Sequence, residues 1–255
     1  MGVRMRKIWT AGLLLAALAV VALPARAFDE VFDKTYHLNP NGSVELENIN
    51  GSVEITGWDR DAVELYAVKK TANKAADLSR VQIEVEAAPN HLSVETLYPR
   101  DKGVEVSVEY RIRVPRHAQL RQVRTVNGAV RVSNMDASGS LRSVNGNVEI
   151  LDSVGGFSAH TTNGDLRLEL HRLNGSEPLD AGTVNGSILV ALAPDASAEL
   201  DVHTLNGDFR SDLPVYIQGS SDAREFHGVL GHGGTSLALR TVNGAIRIVA
   251  LTPTV

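Results

Sequence analysis

One short phrase with Asn-Gly at its centre recurs through this chain. Copies stand at 125–132, 143–150, 161–168, 183–190, 204–211 and 241–248, with an earlier one at 48–55. A repeat of this kind identifies the architecture before any single element is assigned, because each copy is one structural unit that must pack on its neighbours. Apolar and polar residues alternate on both sides of each Asn-Gly, which predicts strands with one buried face. The Asn-Gly itself predicts a change of direction, since both residues tolerate a positive φ.

Two arrangements fit this pattern. Asn-Gly between alternating runs is a strong hairpin signal, which would give an antiparallel meander. The alternative is an all-β, right-handed parallel β-solenoid, in which each copy is one rung with an Asn-Gly corner and equivalent residues stack on the next rung. We favour the solenoid because no amphipathic helix is available to cover an open sheet, and because stacked amide side chains about 4.8 Å apart can bond to one another. Asn127, Asn145, Asn163 and Asn185 should then form one column.

The chain divides into three predicted parts. Residues 1–27 have the features of a secretory signal peptide, with a basic head, an apolar stretch and a small-x-small cleavage site. Residues 28–116 form a strand-rich N-terminal portion, and residues 117–255 form the β-solenoid repeat domain. The longest interval between copies contains an insertion at about 213–234. This insertion either bulges from one corner and carries binding, or packs its own apolar residues against an open end of the coil.

Composition restricts the location and the partners of the protein. Its net charge is −5, which gives it little reason to bind nucleic acid through a general positive field. It has no cysteine, so an exported chain would depend on burial and backbone pairing for its stability. No second apolar segment is long enough to span a membrane after cleavage. We therefore expect an extracytoplasmic protein, periplasmic or at the cell surface, and its oligomeric state stays open.

Two further phrases accompany the repeats, SVEITGWDRDAVEL at 52–65 and EYRIRVP at 109–115. With them and its run of TVNGxVxV units, the chain resembles a bacterial extracytoplasmic β-strand-repeat family of unknown function, labelled putative adhesin. The resemblance extends from about residue 34 to residue 250 and is carried by structural motifs. It implies a β-solenoid, export and an adhesive role, and it brings no catalytic residue to carry over.

Few residues have the spacing of a catalytic or metal site. Asp165 and Asp208 share a phase just after Asn-Gly. A separation of two rungs, about 10 Å, would be near the range of an inverting glycosidase pair, although polar residues that suit a turn are the simpler explanation. The one histidine cluster lies on a Gly-rich loop without preset geometry and contains His227, His232, Asp222 and Glu225. We therefore predict no catalytic residue, no metal and no cofactor.

Basic residues recur at two positions of the repeat. The position three residues before the asparagine holds Arg124, Arg142 and Arg240, and the position four residues after it holds Arg131, Arg167, Arg210 and Arg247. By the alternation, both columns point to solvent beside the Asn-Gly corner. They would serve solubility as a surface ladder of ion pairs, or they would grip phosphate or carboxylate groups through their guanidinium side chains.

These features favour a non-catalytic binding or structural module of the cell envelope. Its partner would be an envelope polymer, in particular an anionic one held by the arginine columns, or another envelope protein. The alternative is a carbohydrate-active β-solenoid enzyme that acts near the 204–240 insertion. A convergent pair of carboxylates in a deep groove would favour the enzyme, and a smooth, groove-free surface would favour the binding module.

Overall fold

The computed structural model of the protein describes residues 28–100, 103–173, 177–217 and 224–251, so the predicted signal peptide lies outside the described residues. This part of the chain is built almost entirely of strands, with a short 3-10 helix at Ala75–Arg80. The strands are β1 (Phe28–His37), β2 (Ser43–Glu47), β3 (Val53–Trp58), β4 (Ala62–Thr71), β5 (Gln82–Ala88), β6 (His91–Leu97), β7 (Ser107–Pro115), β8 (Gln119–Arg124), β9 (Val130–Ser133), β10 (Gly139–Arg142), β11 (Val148–Val154), β12 (Phe157–Asn163), β13 (Leu166–Arg172), β14 (Leu179–Asn185), β15 (Ile188–Leu192), β16 (Ala198–Asn206), β17 (Phe209–Ser211), β18 (Val215–Ile217), β19 (Glu225–Leu230), β20 (Thr235–Asn243) and β21 (Ile246–Ala250).

Two large sheets contain these strands. Within the described ranges, the first sheet has ten strands in the order β1-β4-β7-β3-β9-β11-β13-β15-β21-β17. The second sheet has eleven strands in the order β18-β19-β16-β20-β14-β12-β10-β8-β2-β6-β5. The inward side chains of both sheets form a single core cluster, so the sheets face each other. The predicted all-β class is confirmed.

Each repeat contributes one strand to each sheet. β12 of the second sheet ends at Asn163, and β13 of the first sheet begins at Leu166. Such a pair of joined strands is one rung. Neighbouring rungs pair in parallel, since Val148 of β11 lies beside Val130 of β9 and Leu166 of β13. The predicted parallel stacking is therefore confirmed and an antiparallel meander of repeats is wrong, while the right-handed sense of the coil stays a prediction.

The core between the two sheets is aliphatic. On the first sheet, the side chains three and five residues after each asparagine point inward, as Val148 and Ile150 do with 0% exposure. On the second sheet, the side chains four residues before each asparagine face them, and Leu141 is 1% exposed. Burial of each such side chain contributes roughly 1.5–3 kcal/mol. The stacked rungs are therefore held together mainly by burial of aliphatic surface.

The rungs do not follow chain order at the ends of the molecule. The last rung, β20 with β21, lies between the rung of β14 and β15 and the rung of β16 and β17. At the other end, β2 and β3 lie between β6 and β7 on one side and β8 and β9 on the other. The final strands of the chain are therefore enclosed by strands that precede them in the sequence.

The N-terminal portion belongs to the same two sheets. β1 and β4 extend the first sheet by antiparallel pairing beside β7, and β5 extends the second sheet beside β6. β7 ends at Pro115, next to the predicted division at residue 116. That division stays a prediction about domain organisation. Strands from both sides of it pair directly in one sheet, as β2 does with β8.

The predicted insertion continues the second sheet at its C-terminal edge. β19 pairs antiparallel with β16, and β18 pairs antiparallel with β19, while residues 218–223 lie outside the described residues. Phe226 packs on Phe209 of β17 with ring centroids 4.8 Å apart, and Val215 also packs against the core. Packing at the end of the coil, one of the two alternatives for this segment, agrees with these contacts. In the described part of the chain, no helix has the length and apolar character needed to cross a membrane.

Candidate binding surface

A column of asparagine side chains runs along the edge where the rungs turn. In spatial order it contains Asn50, Asn127, Asn145, Asn163, Asn185, Asn243 and Asn206. Each Nδ2 after the first donates to Oδ1 of the preceding asparagine at 2.8–2.9 Å. An amide has two N–H groups and two lone pairs, so this bonding leaves donors and acceptors free along the edge. The ladder thus presents a regular line of polar groups to solvent.

The glycine after each ladder asparagine is required by contact between rungs. A Cβ at Gly146 would lie 2.1 Å from the carbonyl oxygen of Gly128 on the neighbouring rung, and the same conflict recurs along the column. Neither of these two glycines has a positive φ. At these two corners glycine is therefore needed for space, whereas Gly51 and Gly244 of the same column do have a positive φ.

A buried hydroxyl lies two residues before every ladder asparagine except Asn50, where Asn48 takes this position, and it joins neighbouring rungs. Ser143 Oγ donates to the carbonyl oxygen of Gly128 at 2.8 Å, and Thr161 Oγ1 donates to that of Gly146 at 2.8 Å. Because these hydroxyls are buried, each requires a hydrogen-bond partner within the protein. The turning edge is consequently bonded to its neighbours through both side chain and backbone.

A row of exposed aliphatic side chains lies next to the ladder. It occupies the position immediately before every ladder asparagine except Asn163, which follows Thr162, and consists of Ile49, Val126, Val144, Val184, Val242 and Leu205. Between 37% and 53% of each residue is exposed. Three members stand next to one another on each side of Thr162, and grouped apolar surface is typical of contact sites, whereas single exposed apolar residues need no explanation. We call this line the apolar row.

A second row lies two residues further from the ladder, on the same outer face of the second sheet. The strand register places Glu47, Arg124, Arg142, His160, Gly182, Arg240, His203 and Glu225 side by side in that order. We call this line the basic row. Arg124 pairs with Glu47, whereas no ion pair links Arg142 to any described residue. Arg142 is therefore the exposed cation of this row that is available to a ligand.

A shallow groove separates the two rows. Arg124 and Arg142 line it together with Ile49, Val126 and Val144. The neighbouring carboxylates Glu47 of β2 and Glu95 of β6 also line it. The pattern covers two adjacent rungs about 4.8 Å apart, because the next positions hold His160 and Gly182 in the basic row and Thr162 beside the ladder. The groove thus suits a ligand that places anionic groups on Arg124 and Arg142 and apolar surface on the neighbouring aliphatic side chains.

The other four predicted arginines lie on the outer face of the first sheet, so the two predicted columns do not form one surface. Three of them have a carboxylate within ion-pair distance, in the pairs Arg131–Glu149, Arg167–Glu169 and Arg210–Asp208. The fourth, Arg247, stands beside Arg210 in the strand register. Exposed pairs of this kind contribute little to stability, and they neutralise much of the charge of this column. The first sheet is therefore the weaker candidate for anion binding.

His160 lies at the centre of the basic row. Its pKa is lowered from the ordinary value of about 6.5, mainly because the ring is half-buried. Asp180, whose Oδ2 lies 3.5 Å from Nε2, opposes this shift, and Arg142 and Arg240 add to it. His160 is accordingly neutral at pH 7, and the positive charge of the row comes from its arginines.

The structure groups the histidines differently from the sequence prediction. His227 of β19 lies beside Asp201 and His203 of the neighbouring strand β16. His232 instead lies in the loop after β19, and Asp222 lies outside the described residues. No local signal could have found this grouping, because it depends on the register between β16 and a strand of the insertion.

Asp165 and Asp208 are farther apart than the sequence suggests. Two rungs lie between theirs, because the last rung is inserted there, which places the two carboxylates three steps or about 14 Å apart. Asp165 Oδ1 accepts the backbone N–H of Ser187 at 2.8 Å, so it serves the turn. The carboxyl groups of an inverting pair lie about 6.5–9.5 Å apart, and these two do not have that geometry.

A comparison of the sequence with known protein families finds a family that matches the region of the stacked rungs. Residues 26–249 match Toastrack DUF4097, which covers most of the chain. The chain belongs to the Toastrack DUF4097 family. This membership confirms the resemblance to a β-strand-repeat family that the Asn-Gly phrases indicated. No curated protein matches this Toastrack chain.

Solved structures similar to this Toastrack chain include a putative cell adhesion protein from Clostridium sporogenes. The two are 12% identical, the match covers 87% of this chain and 100% of the other, and the TM-score is 0.47. A putative adhesin from Bacteroides fragilis is 10% identical over 87% of this chain and 97% of its own, with a TM-score of 0.41. Likeness at this level carries no information on function, so the candidate surface rests on the side chains of this chain.

Proposed function

We propose that the protein is a non-catalytic binding module of the cell envelope, and that the groove between the basic row and the apolar row holds an anionic polymer. The observation that carries the proposal is the exposed side chain of Arg142, unpaired among the described residues. This exposed cation has no ion pair among the described residues and stands beside a second arginine and a line of aliphatic side chains. Arg124 and Arg142 stand on adjacent rungs, so they could contact successive anionic groups of a polymer that lies along the axis of the rungs.

The chemistry of the groove supports this ligand class. A guanidinium group binds phosphate or carboxylate through two parallel hydrogen bonds, and Arg124 and Arg142 stand on adjacent rungs. The partner of Arg124, Glu47, forms an exposed ion pair with it, and such a pair exchanges readily for a ligand anion. The apolar row offers aliphatic surface to the C–H faces of sugar rings, at roughly 25 cal/mol per Å² of buried area.

The proposal includes an extracytoplasmic location, periplasmic or at the cell surface. The predicted signal peptide at 1–27 supports it. A carbohydrate-active enzyme near the insertion gains no support from Asp165 and Asp208, since their separation is too large and Asp165 is bonded to the turn.

The test measures binding of the purified protein to polygalacturonate, a carboxylate polymer, and to dextran, an uncharged one. We expect binding to polygalacturonate that weakens as salt rises, because the contacts are ionic and exposed. The double variant Arg124→Glu and Arg142→Glu should bind at least about tenfold more weakly, since two charge-assisted contacts become repulsive. Arg240 is left intact because it is bonded to Asp180 and Asp201.

The matched control is Arg131→Glu with Arg167→Glu on the first sheet, which changes the net charge equally. This variant should bind within about twofold of the original protein, because Arg131 and Arg167 lie on the first sheet and do not line the groove. Melting curves establish that both variants are folded. Equal weakening by the two double variants would show that only general charge matters, and equal binding of dextran would exclude an anionic ligand.

A further inference from the structure

The C-terminal end of the second sheet carries a cluster of two imidazoles and a carboxylate. The antiparallel register of β16 with β19 sets Asp201 opposite His227 and His203 opposite Glu225. These four residues point outward, because they alternate with buried residues such as Val202. Their positions are fixed by two paired strands, which hold side chains more firmly than a loop does.

The separations within this cluster match those between metal ligands. Asp201 Oδ1 lies 3.0 Å from His203 Nε2 and 3.4 Å from His227 Nδ1. Ligand atoms of all three residues lie within 4.8 Å of one another. Bonds of about 2.0–2.2 Å in a tetrahedral arrangement around Zn²⁺ place neighbouring ligand atoms about 3.3 Å apart. A small cation between these groups would thus need little movement of the ligands.

The hydrogen bonds around the cluster leave acceptors facing one another. Asp201 Oδ1 is buried and has no hydrogen-bond partner, although it is close to both rings. His227 Nε2 lies 3.2 Å from Glu225 Oε1, and since a carboxylate only accepts, this nitrogen carries the proton. In a singly protonated ring, His227 Nδ1 then directs a lone pair toward Asp201 Oδ1. Two acceptors in such proximity require a cation or a second proton between them.

Neighbouring groups orient the three ligand atoms. Arg240 Nη2 donates to Asp201 Oδ2 at 2.7 Å, which fixes the carboxylate and leaves Oδ1 toward the rings. The contact of Glu225 with His227 is the arrangement in which a carboxylate holds a metal-ligating imidazole in the required tautomer. Arg240 is itself shared between the carboxylates of Asp180 and Asp201.

We propose that Asp201 Oδ1, His203 Nε2 and His227 Nδ1 bind a divalent transition-metal ion of the Zn²⁺ type, with solvent at the fourth position. Two imidazole ligands favour Zn²⁺ over Mg²⁺ or Ca²⁺, which take oxygen ligands. The ion would connect β16 with β19 and so hold the strands of the insertion on the edge of the sheet. The site is independent of the groove at Arg124 and Arg142, so it does not rest on the proposed polymer binding.

The test titrates Zn²⁺ into the protein, purified without a polyhistidine tag and treated with a chelator. We expect about one Zn²⁺ per chain, a higher melting temperature with the ion, and a strong visible band with Co²⁺ in a tetrahedral site. His203→Ala and His227→Ala should lose both the stoichiometric binding and the band. Glu225→Gln should retain the site with roughly tenfold lower affinity, because it weakens an orienting contact.

The matched control is His171→Ala, since His171 Nε2 also lies beside a carboxylate, 3.4 Å from Asp152 Oδ1, but outside this cluster. It should bind Zn²⁺ as the original protein does. Asp201→Asn keeps the shape of the side chain and removes its charge, so a folded variant that no longer binds would support the proposal. Binding that survives in His203→Ala, or that His171→Ala weakens equally, would overturn it. So would a protein that melts at the same temperature with and without Zn²⁺ and binds no ion.

Discussion

Asparagine and glycine are adjacent in the repeated phrase, yet each makes a different contact with the next rung. The asparagine side chain bonds sideways to the asparagine of the next rung, as Asn145 does to Asn127 at 2.9 Å. The glycine has no side chain, which allows the carbonyl oxygen of the next glycine to approach. At the scale of the residue, the phrase is therefore a pattern of contacts between rungs as well as a turn signal.

Gly146→Ala should destabilise the protein by about 2–3 kcal/mol, because the new methyl group would meet the backbone of Gly128, which cannot move independently. The measurement is chemical denaturation. The control is Gly182→Ala, where the nearest atom is Cδ2 of the His160 side chain at 2.9 Å, and a side chain can rotate away. The control should change stability by less than about 0.5 kcal/mol. Similar losses in both variants would contradict the role assigned to close stacking.

Side chains of a strand point alternately to the core and to solvent, so a shift by one residue would exchange the buried and the exposed side chains. In β11, Val148 and Ile150 are buried between the sheets, and Glu149 between them reaches outward to Arg131. Parallel stacking extends this alternation across all rungs, since residues of equal phase pair directly. Each outward position therefore forms a line across the face of a sheet, which is how the basic row and the apolar row arise.

Val148→Asp should cost several kcal/mol of stability, because it leaves a carboxylate without a partner in an aliphatic core. Glu149→Ala, one residue along, should cost less than about 1 kcal/mol, since it removes only an exposed ion pair with Arg131. Thermal melting of the two variants measures this difference. Comparable melting shifts would mean that the inward and outward faces have been assigned the wrong way round.

The repeat predicted parallel stacking because Val130, Val148 and Leu166 share one phase beside Asn-Gly, and only stacking buries them together. It could not predict the position of the last rung, because every copy offers its neighbours nearly the same contacts. Nor could it predict the cluster of Asp201 with His227, since the register of β16 with β19 is set by packing at the end of the coil. The phase of the repeat determines the register in which two rungs pair. The segments that connect the rungs determine which rungs become neighbours.

At the scale of the whole molecule, the last rung joins the C-terminal end to the rest. β20 pairs with β14 on one side and β16 on the other, and β21 pairs with β15 and β17 in the same way. Among the described strands, no others pair with both the rung of β14 and β15 and the rung of β16 and β17. The strands of the insertion are attached through β16, so they also depend on this rung.

A chain that ends at Gly234 should therefore lose the order of β16 to β19 while it keeps the rungs up to β15. Hydrogen exchange should show fast exchange of the amides in β16 and β19 and slow exchange in β11 and β13. A chain that ends at Ala250 retains both strands of the last rung and serves as the control. Persistent protection of β16 in the shorter chain would show that its order does not require the last rung.

The insertion of the last rung between two earlier ones has a consequence for biosynthesis. A chain that emerges with its N-terminus first has β14, β15, β16 and β17 available before β20 and β21 exist. Until the final strands arrive, the edges that they will cover present unpaired backbone N–H and C=O groups, which can recruit a strand from another nascent chain. The interval between synthesis of β17 and synthesis of β20 and β21 is thus a period in which the chain is open to misassembly.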